Sequence, residues 1–313
     1  MMNRLLVRPR LLGLLCAIGA VGLGLAYLAA AGAPPRYLFV NLAALIVGAA
    51  IWLGLGPTAS SRLRSDGPAV LALSLPLIAT ALLGVPVDGA SRWVNAGPLS
   101  VQVSLVTLPA AIVLYARSAD AIGTAGVAMT ALALAAQPDR AMAAVLAAGM
   151  GAVLLTRPGR LPALALVAAV AGFGMTLVRP DSLPAVPFVD RILYSAFEVH
   201  PVAGLAVVAG CLLLLVPASA GALRGPPGRP VLAAFGACWA AVVAAAALGN
   251  YPTPLVGYGG SAVLGYLLSV ALLPSSLRGD VEAESGEAEP RAVPGSGAET
   301  AGPAIVERAR RPH

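Results

Sequence analysis

Four short stretches concentrate the polar side chains able to bind an anion or move a proton. The first spans residues 88–104 and holds Asp88, Arg92, Trp93, Asn95, Gln102 and Ser104. The second is Gln137-Pro138-Asp139-Arg140, and the third carries Arg179, Asp181, Asp190, Arg191, Glu198 and His200. The fourth contains Asn250, Tyr251, Thr253 and the run Tyr258-Gly259-Gly260-Ser261. A carboxylate can accept a proton, and a guanidinium grips phosphate through two parallel hydrogen bonds. Asp190 has two readings: the N-terminal carboxylate of a helix, or a proton acceptor whose pKa a neighbouring apolar surface would raise. Glu198 follows eight residues later. If the intervening chain is helical, a rise of 1.5 Å per residue separates the two acids by about 12 Å, too far for a glycosidase-type acid and base pair. Cys16, Cys211 and Cys238 fall in apolar runs with no paired spacing and only two histidines accompany them, which supports neither a disulfide framework nor a zinc site.

The elements that hold these clusters follow from composition. Of 313 residues, 58% are apolar and 11% are charged, against roughly 25% charged in a soluble globular domain. The missing polar surface means that lipid is the solvent for most of the chain. A helix needs about 20 apolar residues to cross the hydrocarbon core. Ten candidate runs lie at 11–31, 38–55, 68–87, 103–116, 121–136, 141–156, 161–178, 201–216, 231–248 and 258–273. The expected fold class is therefore an all-α, polytopic membrane bundle of about ten transmembrane helices. Its domain occupies residues 1–274, and a tail at 275–313, rich in Gly, Glu, Ala, Pro and Arg, reads as a disordered cytoplasmic segment.

All 20 basic residues are arginine, and their placement predicts orientation, since positive residues in short loops stay on the cytoplasmic side. Ten arginines (Arg4, Arg8, Arg10, Arg62, Arg64, Arg117, Arg157, Arg160, Arg224 and Arg229) fall on one side of the ten runs, and five (Arg36, Arg92, Arg140, Arg179 and Arg191) on the other. Both termini are then cytoplasmic, and all four polar clusters face outward. On that side Trp93 reads as an interfacial anchor with Arg92 snorkelling beside it. Glu198 reads as the buried partner of an outward arginine or a half-buried structural acid, and His200 as an interfacial residue. Basic residues are not interleaved with aromatics, so nucleic-acid binding is excluded.

Taken in order, the clusters resemble the SEDS family of polytopic membrane proteins, the FtsW and RodA type. Gly89, Ala90, Arg92, Trp93, Gly97, Gln102 and Ser104 stand where that family has G-A-x-R-W-I-x-x-G-x-x-x-x-Q-P-S-E-x-x-K. Gln137, Pro138 and Asp139 look like its Q-P-D, Asp190 and Glu198 like the ends of its D-F-I-F-A-x-x-x-E, and Pro254-Leu255-Val256 with Tyr258-Gly259-Gly260-Ser261 like its L-P-F-x-S-Y-G-G-S. The resemblance implies a bacterial cytoplasmic-membrane glycosyltransferase that polymerises lipid II into peptidoglycan strands during elongation or division. It also implies a divalent cation, without identifying its site, and a partner among the single-span class B penicillin-binding proteins. Asp190 is then the catalytic base. Arg92, Gln102, Asp139, Arg140, Arg179, Arg191, Glu198, Tyr258 and Ser261 are candidate substrate contacts, the arginines for the pyrophosphate.

Two departures point toward a non-catalytic scaffold or regulator of wall synthesis instead, and a flippase of a lipid-linked intermediate would use the same polar cavity without bond formation. Leu105 and Leu108 occupy the family's Glu and Lys positions, and only about a dozen residues, 179–190, remain of a long outer segment. The Tyr258-Gly259-Gly260-Ser261 turn reads equally as helix packing and as substrate contact. Gly123, Gly126, Gly149 and Gly151 read as packing residues.

Overall fold

In the computed structural model, which describes residues 8–55, 66–87, 89–97, 99–179, 183–222 and 228–275, the apolar runs become a bundle of helices. They are α1 (Pro9–Ala30), α2 (Pro35–Leu55), α3 (Gly67–Leu83), α4 (Val103–Ser118), α5 (Ala121–Ala136), α6 (Arg140–Thr156), α7 (Arg160–Leu177), α8 (Ile192–Val199), α9 (Pro201–Leu213), α10 (Val216–Ala222), α11 (Arg229–Leu248) and α12 (Gly260–Ala271). Four of these are at least 18 residues long and apolar enough to cross a bilayer, and six more are apolar helices of 10–17 residues. These ten overlap the ten expected runs, except that the third helix stops at Leu83 and residues 85–87, expected to be helical, form a strand. The chain is a multi-pass membrane protein with an all-α membrane domain. Arg4, Arg62, Arg64, Asp88, Asp181, Arg224 and the tail beyond Ser275 lie outside the described residues.

Helix ends follow local chemistry. Proline occupies the first turn of α1, α3, α9 and α11, where its missing N–H costs nothing. The Asp120 carboxylate caps α5 by accepting from Gly123 N–H at 2.7 Å, and Asp139 caps α6 by accepting from Met142 N–H at 3.3 Å. At the other end of α4, Ala119 turns the chain out of the helix with a left-handed φ of 48°.

Helix α4 is the axis of the bundle. It is buried continuously from Ser104 to Ala116 apart from Val106, and α3, α6, α11 and α12 pack around it. Contact with α12 is very close: a Cβ on Gly265 would run into the Leu105 carbonyl. Gly126 packs on the α3 backbone and Gly149 on Ile112, as small residues do between membrane helices. Gly151 differs from its expected packing role, since a Cβ there would meet nothing within 4 Å. The rim is apolar and faces outward, with Leu155 86% and Leu248 88% exposed, as a lipid-facing surface requires.

The segment between α3 and α4, where Trp93 and Arg92 read as interfacial residues, is not a simple loop. It forms a three-stranded antiparallel sheet of β1 (Val85–Val87), β2 (Ala90–Ala96) and β3 (Leu99–Gln102), with Trp93 opposite Gln102 and Asn95 opposite Ser100. Gly97 supplies the positive φ of 60° at the β2–β3 turn. Arg92, expected to snorkel, is instead 2% exposed and donates to the Pro138 carbonyl. Alternation in β2 explains the difference, because Ala90 and Arg92 share the inward face.

Candidate functional site

The polar clusters converge at one end of the bundle and divide into two sites. In the first, Ser104 Oγ donates to Asp139 Oδ2 at 2.8 Å, and Gln102 Nε2 reaches the same oxygen at 3.3 Å. Gln102 N–H donates to Ser261 Oγ at 3.0 Å, while Gln137 Nε2 donates to the Leu77 carbonyl at 2.6 Å. Arg92, Gln102, Ser104, Gln137 and Asp139 are all buried. This network ties β2, β3, α3, α4, α6 and α12 together beneath the sheet. A void of only about 10 Å³ remains beside it, lined by Gln102, Leu105, Met142 and Pro252 among others. Leu105 and Leu108 are buried in the same interior, so apolar packing fills the place of a charged pair.

The second site is built around Asp190, which precedes the short helix α8. Its Oδ2 accepts from the Val186 N–H at 2.8 Å, and its own N–H donates to the Val186 carbonyl at 3.0 Å. The carboxylate is therefore not a helix cap. Arg191 holds the N-cap position of α8 and makes no side-chain capping bond. Phe188 and Arg191, on either side of Asp190, both adopt left-handed backbone, with φ of 64° and 58°. Non-glycine residues hold such conformations only where their surroundings overdetermine them. The surroundings here come from the segment between α11 and α12. Asp190 bridges to Pro252 in antiparallel fashion, Thr253 N–H donates to the Val189 carbonyl at 2.9 Å, and Tyr258 N–H donates to the Phe188 carbonyl at 2.7 Å.

Asp190 opens on a cleft of about 410 Å³ that is also lined by Tyr27, Val186, Phe188, Ser195 and Glu198. Asp190 is 9% exposed. Burial pushes its carboxyl above the ordinary carboxylate range, and the Val186 N–H, which favours the ionised form, offsets part of that rise. Such a group is a stronger base than a solvated aspartate, which suits proton abstraction near neutral pH. Glu198 lies on the cleft but is exposed, so its expected role as a buried partner or half-buried structural acid is corrected. It stands on the exposed side of α8, whose buried residues are Ile192 and Ala196. His200 is exposed and caps α9, with Nδ1 accepting from Val202 N–H at 3.1 Å.

The remaining candidates are dispersed. Arg140 donates to the Arg179 carbonyl at 2.9 Å on the flank of the bundle. Arg191 is exposed beside Asp190, whereas Arg92, Gln102, Asp139 and Ser261 belong to the first network. Tyr258 stacks on Tyr37 with centroids 3.7 Å apart, Tyr37 meets the edge of Phe188 at 6.1 Å, and Arg36 lies 5.2 Å over the Tyr37 ring. Tyr37 and Asn41 were not singled out from the sequence, and Arg36 was counted there only among the outer arginines. Only Asn41 carried a signal, as the single amide inside the otherwise apolar second run.

The architecture is a polytopic helical bundle with a RodA-like fold, carrying a polar site at one end. Two solved structures share it. The crystal structure of the rod shape determining protein RodA from Thermus thermophilus superimposes with a TM-score of 0.53 at 24% identity, covering 83% of this chain and 94% of that one. An aspartate-to-alanine mutant of the same protein gives 0.51 at 22% identity, covering 83% and 95%. No protein-family model and no curated protein sequence matches the chain.

Proposed function

We propose that the chain is a peptidoglycan glycan-strand polymerase that uses lipid II at the Asp190 cleft and acts in cell shape, elongation or division. The observation that carries this reading is a buried carboxylate with a raised pKa, held by backbone contacts between two strained residues and opening on a cleft of about 410 Å³. A volume of this size is in the range of small-molecule sites. In the reaction an acceptor sugar hydroxyl attacks the anomeric carbon of the donor. The bond from that carbon to the diphosphate breaks, the undecaprenyl diphosphate leaves with the electron pair, and Asp190 takes the hydroxyl proton. Exposed Arg191, next to Asp190 in the chain, and exposed Arg36, over the Tyr37 ring, are the arginines this reading assigns to the diphosphate.

The divalent cation implied by the resemblance has a modest donor set. Among the described residues no group of three His, Cys, Asp or Glu side chains converges. Magnesium is ordinarily held by one or two carboxylates together with substrate phosphates, and exposed Glu198 fits that pattern while leaving Asp190 free for the proton. When bound, the ion would offset charge on the departing diphosphate.

The protein is placed by this reading in the bacterial cytoplasmic membrane with both termini inside, the Asp190 end outward, and a class B penicillin-binding protein as partner. A second reading, a catalytically degenerate scaffold of wall synthesis, is favoured by one observation: buried Leu105 and Leu108 close the interior with apolar groups. A flippase of a lipid-linked intermediate would use the same polar end without bond formation. Purified protein in liposomes with fluorescent lipid II separates the three. Glycan ladders support the polymerase, transbilayer movement without polymer supports the flippase, and neither result leaves the scaffold.

A further inference from the structure

Asn41 sits in the outer third of α2, on the stripe by which that helix packs, and is fully buried. A polar side chain at membrane depth is costly unless both its donor and its acceptor are used. Both are used here, on one distant turn. Nδ2 donates to the Gly257 carbonyl at 2.7 Å, and Oδ1 accepts from the Gly259 N–H at 3.0 Å. Between these two glycines stands Tyr258. Its N–H donates to the Phe188 carbonyl, and its ring stacks on Tyr37, which lies four residues before Asn41 and so on the same face of α2. Helix α2 therefore holds Tyr258 twice, by backbone through Asn41 and by ring through Tyr37. Gly257 is equally confined, since a Cβ there would come within 2.6 Å of the Ile192 side chain, 3.0 Å of the Thr253 carbonyl and 3.3 Å of the Phe188 carbonyl.

From this geometry we propose that Asn41 is a positioning residue for Asp190: it locks the 257–259 turn so that Tyr258 and Thr253 hold residues 188–190 in their strained conformation. The left-handed Phe188 and Arg191 have no glycine to make their backbone cheap, so the loop keeps its shape only while its neighbours impose it. Removing the amide frees the turn, lets the Tyr258–Phe188 bond lengthen, and releases the carboxylate from a fixed direction into the cleft. The role in turnover rests on the polymerase reading, whereas the mechanical coupling does not.

The test measures amide hydrogen exchange and lipid II polymerisation on the full-length protein in nanodiscs. Asn41→Leu, similar in volume and unable to hydrogen-bond, should speed exchange about tenfold in peptides covering 257–260 and also in those covering 186–192. Polymerisation by this variant should lose about a hundredfold in kcat with little change in KM, the signature of a misaimed group. Asn41→Asp, whose neutral acid offers one donor and one acceptor, should restore most of both. If Asn41→Leu does not insert, Asn41→Ser, too short to reach both backbone groups, takes its place with the same expected readings. Faster exchange confined to 257–260, or wild-type kcat in the Leu variant, overturns the proposal. Exchange is read without substrate, so a wild-type protein that makes no polymer removes the polymerase reading alone, and exchange at 186–192 still decides the coupling.

Discussion

Replacing Asp190 with asparagine separates its chemistry from its structural role more cleanly than any other change. The carboxylate accepts one backbone hydrogen bond, from Val186 at 2.8 Å, and the amide oxygen of asparagine can accept the same bond. Fold stability should therefore be kept. The pH dependence strengthens this expectation. Burial raises the folded-state pKa of Asp190 above its unfolded value, so between the two values the folded chain holds a proton that the unfolded chain has released. Stability from this group is complete below the unfolded pKa and is lost as pH rises through the folded one. Near neutral pH the ionised aspartate is a liability that asparagine lacks, and Asp190→Asn should unfold at the same temperature as wild type or a higher one. Asp190→Ala instead loses the Val186 bond, a cost of about 1 kcal/mol. Turnover behaves differently: with no base, both variants should polymerise lipid II at least about a hundredfold more slowly. The wild-type acid limb of kcat should lie above ordinary carboxylate values and vanish from the residual activity of both variants. Thermal unfolding in detergent and gel-resolved glycan ladders give the two measurements. Wild-type turnover in Asp190→Asn would refute the catalytic assignment.

Four further outcomes are expected. Gly265→Ala drives a methyl into the Leu105 carbonyl and should cost about 3 kcal/mol or more by forcing α12 away from α4. Gly151→Ala, with nothing within 4 Å of the new Cβ, should be neutral or stabilising by up to about 1 kcal/mol in the same unfolding assay. Leu108→Lys alone buries an ammonium in an apolar interior and should cost about 3 kcal/mol or more. With Leu105→Glu three residues earlier, on the same face of α4, the double variant should recover at least about 1 kcal/mol relative to additivity in a double-mutant cycle; strictly additive costs would show that the two positions do not communicate. Asn95→Cys, on exposed β2, should react with an impermeant thiol reagent added outside intact cells. Labelling only from the cytoplasmic side would reverse the proposed orientation and with it the placement of the cleft.

The ten apolar helices were legible because hydropathy is a local property, and an apolar run of 14 to 21 residues in lipid has few alternatives to a helix. The caps at Asp120 and Asp139 are equally local, each carboxylate accepting from an N–H three residues on. The sheet at 85–102 was not legible. Its strands are three, seven and four residues long, too short for alternation to stand out from an interfacial loop, and they gain stability from the network beneath them. Arg92 illustrates the consequence: its type suggested a headgroup contact, but strand parity turned it inward onto Pro138. Glu198 failed in the opposite direction, because exposure on the rim of a cleft depends on what the bundle leaves uncovered.

Asp190 could be chosen from the sequence by its resemblance to a motif, but not distinguished there from a helix cap. That decision came from contacts spanning some sixty residues or more of sequence, Val189 with Thr253 and Phe188 with Tyr258. Asn41 marks the limit most clearly. Its sequence neighbourhood predicts a costly polar residue in an apolar helix and names no partner. The partners lie 216 and 218 residues away. Composition and periodicity specify which solvent each face of a helix meets, since transfer free energy belongs to the residue itself. Which backbone group a buried amide or carboxylate will find belongs to the packed bundle, because hydrogen bonds require an atom at a definite distance and direction that no local pattern encodes.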